Sequence, residues 1–166
     1  MQANLRTPWL DWAMVFTTRL ADGGFLWIIL AVLLAVNPRH RKLGVTILIA
    51  IAIEALACNI LLKPLIARPR PFEINPAIQL LIPRPEDYSF PSGHAAVSFA
   101  AASVLFFRRS RGWRIAVFLA ILISFSRLYL YVHYPSDVLV GAVIGIAAGW
   151  GAHRLAASLC RRKSCH

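Results

Sequence analysis

The chain has 166 residues, of which 58% are hydrophobic and 15% are charged, and its formal net charge is +11. Soluble domains carry charge on about a quarter of their residues, so this composition excludes an ordinary soluble protein. The apolar residues also lie in blocks, such as 25–36 and 43–62, on the scale of helices that cross about 30 Å of hydrocarbon. We therefore expect an all-α integral membrane protein with a single domain over residues 1–166.

The basic residues follow the ends of the apolar segments. Eleven of the eighteen lysines and arginines form three clusters: Arg39, Arg41 and Lys42; Arg108, Arg109, Arg111 and Arg114; and Arg154, Arg161, Arg162 and Lys163. Because short cytoplasmic loops are enriched in Lys and Arg, these clusters predict that all three regions, including the C-terminus, face the cytoplasm. A nucleic-acid-binding protein would instead present a basic face with polar or aromatic readers, so nucleic acid is not an expected partner.

Six helices are predicted in chain order, at 7–20, 25–36, 43–63, 92–107, 113–129 and 135–157. The first contains Asp11 and Arg19, so the sequence leaves open whether it spans the bilayer completely. Residues 64–91 hold seven of the ten prolines and are predicted to form a loop. Counting crossings from the cytoplasmic clusters places this loop, between the third and fourth helices, on the extracytoplasmic face of a six-helix bundle, together with the 127–136 turn.

The sixth predicted helix carries a stripe of small residues. Gly141, Gly145 and Gly149 recur at four-residue spacing. Such a stripe lets two helix backbones approach closely. We expect it to pack within this chain rather than between two copies, and the oligomeric state stays open.

Five cationic or proton-carrying side chains are expected on the extracytoplasmic face: Lys63, Arg70, His94, Arg127 and His133. An ionisable group near hydrocarbon costs up to about 3 kcal/mol, so such groups usually have a function. A cluster of cations around one space indicates an anionic ligand. The point charge of Lys63 and the planar fork of Arg70 are the two cationic shapes that suit phosphate oxygens.

Two short motifs add further groups to this face. Ser92 is expected to cap the fourth helix, Gly93 allows close approach of the backbone to a ligand, and His94 lies in the first turn, whose free N–H groups favour an anion. In the other motif Asp137 follows His133 by four residues. Its carboxylate is expected to reach one imidazole nitrogen, which leaves the other free to act as a base or nucleophile.

These segments resemble the three-part signature of the type 2 phosphatidic acid phosphatases. The signature reads Lys-x6-Arg-Pro, Pro-Ser-Gly-His and Ser-Arg-x5-His-x3-Asp. The corresponding residues are Lys63, Arg70 and Pro71; Pro91, Ser92, Gly93 and His94; and Ser126, Arg127, His133 and Asp137. The match covers residues 63–137 with every internal spacing kept, and the six-helix layout extends the resemblance along the chain.

The resemblance implies a membrane lipid phosphatase and a role for each residue. His133 would accept the phosphoryl group as a phosphohistidine, Asp137 would orient it, and His94 would protonate the leaving oxygen and then activate water. The phosphate would be held by Lys63, Arg70, Ser92, Gly93 and Arg127. The family needs no metal, and the motifs contain no carboxylate cluster that could hold magnesium, so neither a metal nor another cofactor is expected.

The compact layout resembles the undecaprenyl pyrophosphate phosphatases of the family. This implies undecaprenyl pyrophosphate as the substrate, in a bacterial cytoplasmic membrane, with the site facing the periplasm or exterior. Phosphatidylglycerol phosphate and phosphatidic acid are the alternatives within the family. The vanadium haloperoxidases share the signature but are soluble, which this hydrophobicity argues against. A non-catalytic lipid-binding membrane protein is the alternative of another class, and it would be expected to lose residues such as His133 or Asp137.

Several polar residues lie outside the signature. Glu54 falls in the middle of the third helix, where we expect a structural hydrogen bond, with a place along the substrate path as the alternative. The loop residues Arg84, Glu86 and Asp87 are expected at the loop surface. Residues 76–88 are expected either to guide a lipid chain or to cover the site.

Overall fold

The structure is a computed structural model that describes residues 6–75 and 77–163. Within these residues the predicted all-α fold and its six long helices are confirmed. The long helices are α1 (Pro8–Leu20), α2 (Phe25–Val36), α3 (Arg41–Ala55), α6 (Gly93–Phe107), α7 (Trp113–Tyr129) and α8 (Pro135–Lys163), and the two short ones are α4 (Lys63–Ile66) and α5 (Pro71–Ile74).

The third predicted helix is not one continuous α-helix. Residues Leu56–Leu62 form a π-helix between α3 and α4. A π-helix has a wider turn than an α-helix, so it rotates the residues that follow, and such segments are frequent at functional sites. The predicted helix over 43–63 is helical throughout, and its π-helical part was not foreseen because the apolar run LACNILL contains no glycine or proline that signals an irregularity.

Residues 67–92 form the predicted loop, interrupted by α5. Its segment 77–82 contains a turn and bends but no helix. Three of its side chains pack against a small buried cluster at the ends of α5 and α7; the packed residues are Leu80, Leu81 and Ile82, and the cluster is Phe72, Leu130 and Val132. This contact lays the loop across the end of the helix bundle.

Helix α6 lies at the centre of the bundle. It packs against α8, α7 and α3, and most of its residues are buried. Alanines such as Ala96 and Ala100 have no exposed surface, so neighbouring helices come close to its backbone. One hydrogen bond, from Trp27 Nε1 to Ser98 Oγ at 2.9 Å, also ties α2 to α6.

The glycine stripe of α8 faces α6, which confirms packing within the chain. A Cβ atom added at Gly141 would lie 2.5 Å from the Ser92 carbonyl oxygen, and one at Gly145 would lie 2.3 Å from the Ala96 carbonyl oxygen. Both distances are far shorter than any real carbon–oxygen contact. The stripe therefore fixes the beginning of α8 beside the beginning of α6, where the Ser92 N–H donates to the Asp137 carbonyl oxygen at 3.0 Å.

The described helices include segments that can cross a membrane. By length and composition these are Arg41–Ile74 and Pro135–Leu159, and a third if the pair Pro8–Leu20 and Asp22–Val36, bent by 45°, forms one broken span. Many large apolar side chains are exposed on the outside of the bundle, among them Leu33, Phe118 and Leu139. A bilayer would cover this surface, since water-exposed apolar patches of this extent are rare in monomeric soluble proteins.

Gly145→Ala should destabilise the protein because its methyl group would push α8 away from α6. Overpacking of this kind typically costs about 1–3 kcal/mol, so we expect a lower melting temperature in detergent and weaker activity. Gly151→Ala is the matched control on the same helix, since a Cβ there meets no heavy atom within 4 Å. Equal melting temperatures for the two variants would contradict the close packing of the stripe.

Candidate active site

The predicted site residues converge on one cavity of about 310 Å³ at the end of the bundle where α6 and α8 begin. Six of the eight line it: Lys63, Arg70, Gly93, His94, Arg127 and His133. The other two, Ser92 and Asp137, are fully buried beside it. The structure thus brings together residues that are up to 74 positions apart in the sequence, from Lys63 to Asp137.

Three cations reach the cavity from three different elements. Lys63 begins α4, Arg70 precedes α5 and Arg127 lies near the end of α7. Their exposed fractions are 9%, 2% and 3%, so all three charges are held away from bulk water. Arg127 donates to Thr18 Oγ1, but its Nε has no hydrogen-bond partner. Because buried charges need compensation, this arrangement selects an anion as the ligand.

His133 lies in the turn between α7 and α8 with its two nitrogens in different environments. Its Nδ1 is 2.7 Å from the carbonyl oxygen of Ser89, and its Nε2 is 3.3 Å from Arg70 Nη1. A carbonyl only accepts and a guanidinium only donates, so the proton is assigned to Nδ1 and the lone pair to Nε2. Burial, together with the charges of Arg127 and Arg70, outweighs the opposing effect of Asp137 and lowers the pKa of His133 to about 3. His133 is therefore neutral at neutral pH.

The Asp137 carboxylate lies beside His133 as expected, but it makes no hydrogen bond to the imidazole. Asp137 Oδ2 is 3.6 Å from His133 Nδ1, which is too far for a hydrogen bond, and the Ser89 carbonyl oxygen takes that position instead. The carboxylate accepts hydrogen bonds from Ser89 Oγ, from the Tyr134 N–H at 2.9 Å and from Arg68 Nη1 at 2.6 Å. Asp137 thus holds the two backbone segments that hold His133.

The Pro-Ser-Gly-His segment begins α6, but Ser92 does not cap the helix as expected. Its side chain makes no capping hydrogen bond, and its buried Oγ has no partner. A Cβ on Gly93 would lie 3.3 Å from Asn59 Oδ1 and 3.9 Å from Lys63 Nζ, so a side chain there would crowd the cavity. His94 Nε2 lies 3.0 Å from Asp22 Oδ1, in the turn between α1 and α2.

Four residues that contact the predicted site were not among its predicted members: Asp22, Arg68, Asp87 and Ser89. Asp87 lies at the loop surface as expected, but its carboxylate also forms ion pairs with both Lys63 and Arg70. Burial would raise the pKa of Asp87, but these two cations lower it to about 2. Arg68 stacks on the ring of Tyr134, with 3.9 Å between the guanidinium carbon and the ring centroid. The sequence did offer one signal for Asp87: it is an acidic residue only five positions before Ser92, which is one of the predicted site residues.

A second cavity of about 420 Å³ adjoins the first and shares Lys63 and His94 with it. Glu54 borders it, is 3% exposed, and has no partner for its Oε2. The structural hydrogen bond expected for Glu54 is therefore not made by this oxygen. Among the described residues, no group of three or more His, Cys, Asp and Glu could hold a metal ion.

Acidification should destabilise the protein through His133. An unfolded histidine has a pKa near 6.5, so between that value and about 3 the unfolded chain binds a proton that the folded chain does not. Stability therefore falls as the pH falls, by about 2 kcal/mol from this group at pH 5. We expect the melting temperature in detergent to drop between pH 7 and pH 5, and to drop less for His133→Gln.

His40→Gln is the control at an exposed histidine, and its melting temperature should depend on pH as that of the wild type does. The same pH dependence in His133→Gln as in wild type would contradict the neutral state assigned to His133.

Known proteins show the same sequence pattern. The sequence profile of the PAP2 superfamily matches residues 39–159. An undecaprenyl-diphosphatase of Sulfolobus acidocaldarius is 37% identical over 137 residues, which are 82% of this chain and 66% of that protein, so the chain spans about two thirds of its length. Undecaprenyl-diphosphatase BcrC of Bacillus subtilis is 36% identical over 146 residues, which are 85% of this chain and 72% of BcrC.

The fold has a counterpart among solved structures. The crystal structure of LpxE from Aquifex aeolicus superposes with a TM-score of 0.77 at 32% sequence identity, covering 91% of this chain and 89% of LpxE. The likeness extends to the six-helix architecture and is not limited to the signature segments. From the profile match, the relatives and the fold, the chain belongs to the PAP2 superfamily of membrane lipid phosphatases.

Proposed function

We propose that the protein hydrolyses the terminal phosphate of undecaprenyl pyrophosphate through a phosphohistidine on His133. The observation that carries this proposal is the position of His133 at a cavity bordered by three buried cations, with its Nδ1 beside the Ser89 carbonyl oxygen so that the lone pair is assigned to Nε2. Two relatives named as undecaprenyl-diphosphatases support this choice of substrate.

The first step would transfer the phosphoryl group to the protein. The Nε2 lone pair of His133 attacks the terminal phosphorus, a P–N bond forms, and the bond from phosphorus to the bridging oxygen breaks. Undecaprenyl phosphate leaves with the electron pair of that bond. The Nδ1–H···O=C hydrogen bond to Ser89 fixes the ring so that Nε2 points into the cavity, and Asp137 supports this geometry from behind.

The cations would neutralise the charge that develops on the phosphoryl oxygens. Phosphoryl transfer depends mainly on positioning and on electrostatic stabilisation, so the protein has little other chemistry to supply. Lys63, Arg70 and Arg127 surround the phosphate position from different sides. The unpartnered Ser92 Oγ and the N–H of Gly93 at the start of α6 can donate two further hydrogen bonds.

His94 would act first as the acid and then as the base. It protonates the leaving oxygen, and afterwards takes a proton from the water that attacks the phosphohistidine. That attack breaks the P–N bond, releases inorganic phosphate and restores neutral His133. Asp22 Oδ1 can only accept a hydrogen bond, so the contact at 3.0 Å keeps a proton on His94 Nε2 before the reaction.

The site is proposed to face the outside of the bacterial cytoplasmic membrane. The cavity lies at the beginning of α6, whereas the basic clusters at 39–42 and 108–114 lie at the opposite ends of α2, α3, α6 and α7. Positive-inside bias places those clusters, and the C-terminus with them, in the cytoplasm.

Purified protein should release phosphate from undecaprenyl pyrophosphate in detergent with a chelator present. The rate of release by His133→Ala should be lower by at least about 1,000-fold, because the nucleophile is absent. His40→Ala, at an exposed histidine at the other end of the bundle, should retain the wild-type rate. Phosphate release is the readout for each variant.

The same assay separates the alternatives. Faster release from phosphatidylglycerol phosphate or phosphatidic acid would replace undecaprenyl pyrophosphate with that substrate and leave the mechanism intact. No release from any of the three lipids would support a non-catalytic lipid-binding protein. Full activity of His133→Ala would refute the phosphohistidine mechanism.

Asp22→Asn tests the part assigned to His94. Asparagine keeps an oxygen that can accept from His94 but removes the negative charge that stabilises the protonated imidazole. We therefore expect the turnover number on phosphatidic acid, whose leaving group is a poorly stabilised alkoxide, to fall about tenfold or more with little change in KM. p-Nitrophenyl phosphate needs no protonation of its leaving group and should be hydrolysed at nearly the wild-type rate. An equal loss on both substrates would indicate a structural role for Asp22.

A further inference from the structure

The carboxylate of Asp87 lies where the phosphate of a ligand is expected. Its Oδ2 accepts a hydrogen bond from Lys63 Nζ, and its Oδ1 accepts one from Arg70 Nη2. The backbone carbonyl oxygen of Asp87 accepts a further hydrogen bond from Arg70 Nε at 2.7 Å. Two of the three cations assigned to phosphate are therefore already paired with an anion of the protein itself.

This anion is far less constrained than its two partners. The side chain of Asp87 is 53% exposed, compared with 11% for Lys63 and 2% for Arg70. Arg70 keeps other contacts, including the hydrogen bond from Nη1 to the Val132 carbonyl oxygen at 2.8 Å. Rotation of the Asp87 side chain would thus free both cations while they stay in place.

Asp87 also carries its charge under all ordinary conditions. Burial by itself would raise its pKa, but the hydrogen bonds and charges of Lys63 and Arg70 lower the pKa to about 2. At neutral pH the site therefore includes a permanent carboxylate, and any incoming anion must compete with it.

We propose that Asp87 is a specificity-determining residue that competes for the phosphate position and yields it to terminal phosphates but not to phosphodiesters. The inference rests on the proposed binding of phosphate by Lys63 and Arg70.

Charge and tethering give this selection its physical basis. A phosphodiester carries one negative charge on two free oxygens, as a carboxylate does. A phosphodiester that displaces the Asp87 side chain therefore brings no more negative charge to Lys63 and Arg70 than Asp87 already supplies. Asp87 is also tethered beside them, and a tethered group has an effective concentration in the millimolar range. A terminal phosphate carries about −1.5 to −2 charges on three free oxygens, so it can pair with both cations and still offer an oxygen to Arg127.

A membrane phosphatase has a particular need for such selection. The headgroups of the surrounding bilayer are mostly phosphodiesters, and anionic ones are attracted to basic sites. Three buried cations without an internal partner would bind these headgroups in preference to water. With Asp87 in place, the cations stay compensated until a terminal phosphate arrives.

The test compares wild type, Asp87→Asn and Glu86→Gln, with hydrolysis of any accepted lipid phosphate as the readout. Inhibition is measured with orthophosphate and, in mixed micelles, with phosphatidylglycerol as an anionic phosphodiester and phosphatidylcholine as a zwitterionic one. In Asp87→Asn we expect the inhibition constant of orthophosphate to fall at least about fivefold, and phosphatidylglycerol to inhibit where it does not inhibit wild type. Glu86→Gln removes the same charge from the exposed neighbour and should behave like wild type.

Unchanged or weaker inhibition by orthophosphate in Asp87→Asn would overturn the inference, since Asp87 would then position Lys63 and Arg70 rather than compete for them. Equal inhibition of all three proteins by phosphatidylglycerol would overturn the selection against phosphodiesters. Asp87→Ala also removes the hydrogen-bonding capacity that asparagine keeps, and it must give the same stronger inhibition by orthophosphate as Asp87→Asn. An unchanged melting temperature shows that the variant is folded. A wild type that neither hydrolyses a lipid phosphate nor binds orthophosphate would refute the proposed function itself, which separates the two failures.

Discussion

The compensation of three buried cations is the constraint on which the rest of the site depends. Lys63, Arg70 and Arg127 are brought within one cavity by elements that are distant in the sequence, and none of them reaches bulk water freely. Like charges in such a place repel one another and are costly to desolvate. The protein tolerates them because Asp87 pairs with two of them and because a phosphate ligand can pair with all three.

This charge arrangement also determines what His133 can do. A histidine with an ordinary pKa would be partly protonated near neutral pH, and a protonated imidazole has no lone pair for attack. Burial and the adjacent arginines keep His133 neutral, and the Ser89 carbonyl keeps its proton on Nδ1. The cations that we propose to bind phosphate thus also keep the proposed nucleophile neutral, while His94 has an acidic partner of its own in Asp22.

Much of this site could be predicted from the sequence, because its chemistry resides in short segments with fixed spacing. The eight predicted site residues belong to short motifs that resemble the family signature, and the six helices and the glycine stripe of α8 follow local rules of periodicity and composition. The contacts that join those segments do not. Asp22 and His94 are 72 residues apart, and Ser89 reaches His133 only because loop and turn are folded against each other. The π-helix at Leu56–Leu62 likewise has no signal in the apolar run that forms it.

What the sequence interpretation missed about two carboxylates has one physical cause. Asp87 was expected only at the loop surface and Asp137 only beside His133, because each was judged from its neighbours in the chain. In the structure an acid goes where a cation needs compensation: Asp87 lies between Lys63 and Arg70, and Asp137 accepts from Arg68 as well as from Ser89. In a site built from buried cations, each nearby carboxylate is therefore best assigned to a cation that lacks a partner. Asp87 and Asp137 are both paired with other cations, so Arg127 is the cation whose charge a phosphate ligand would compensate.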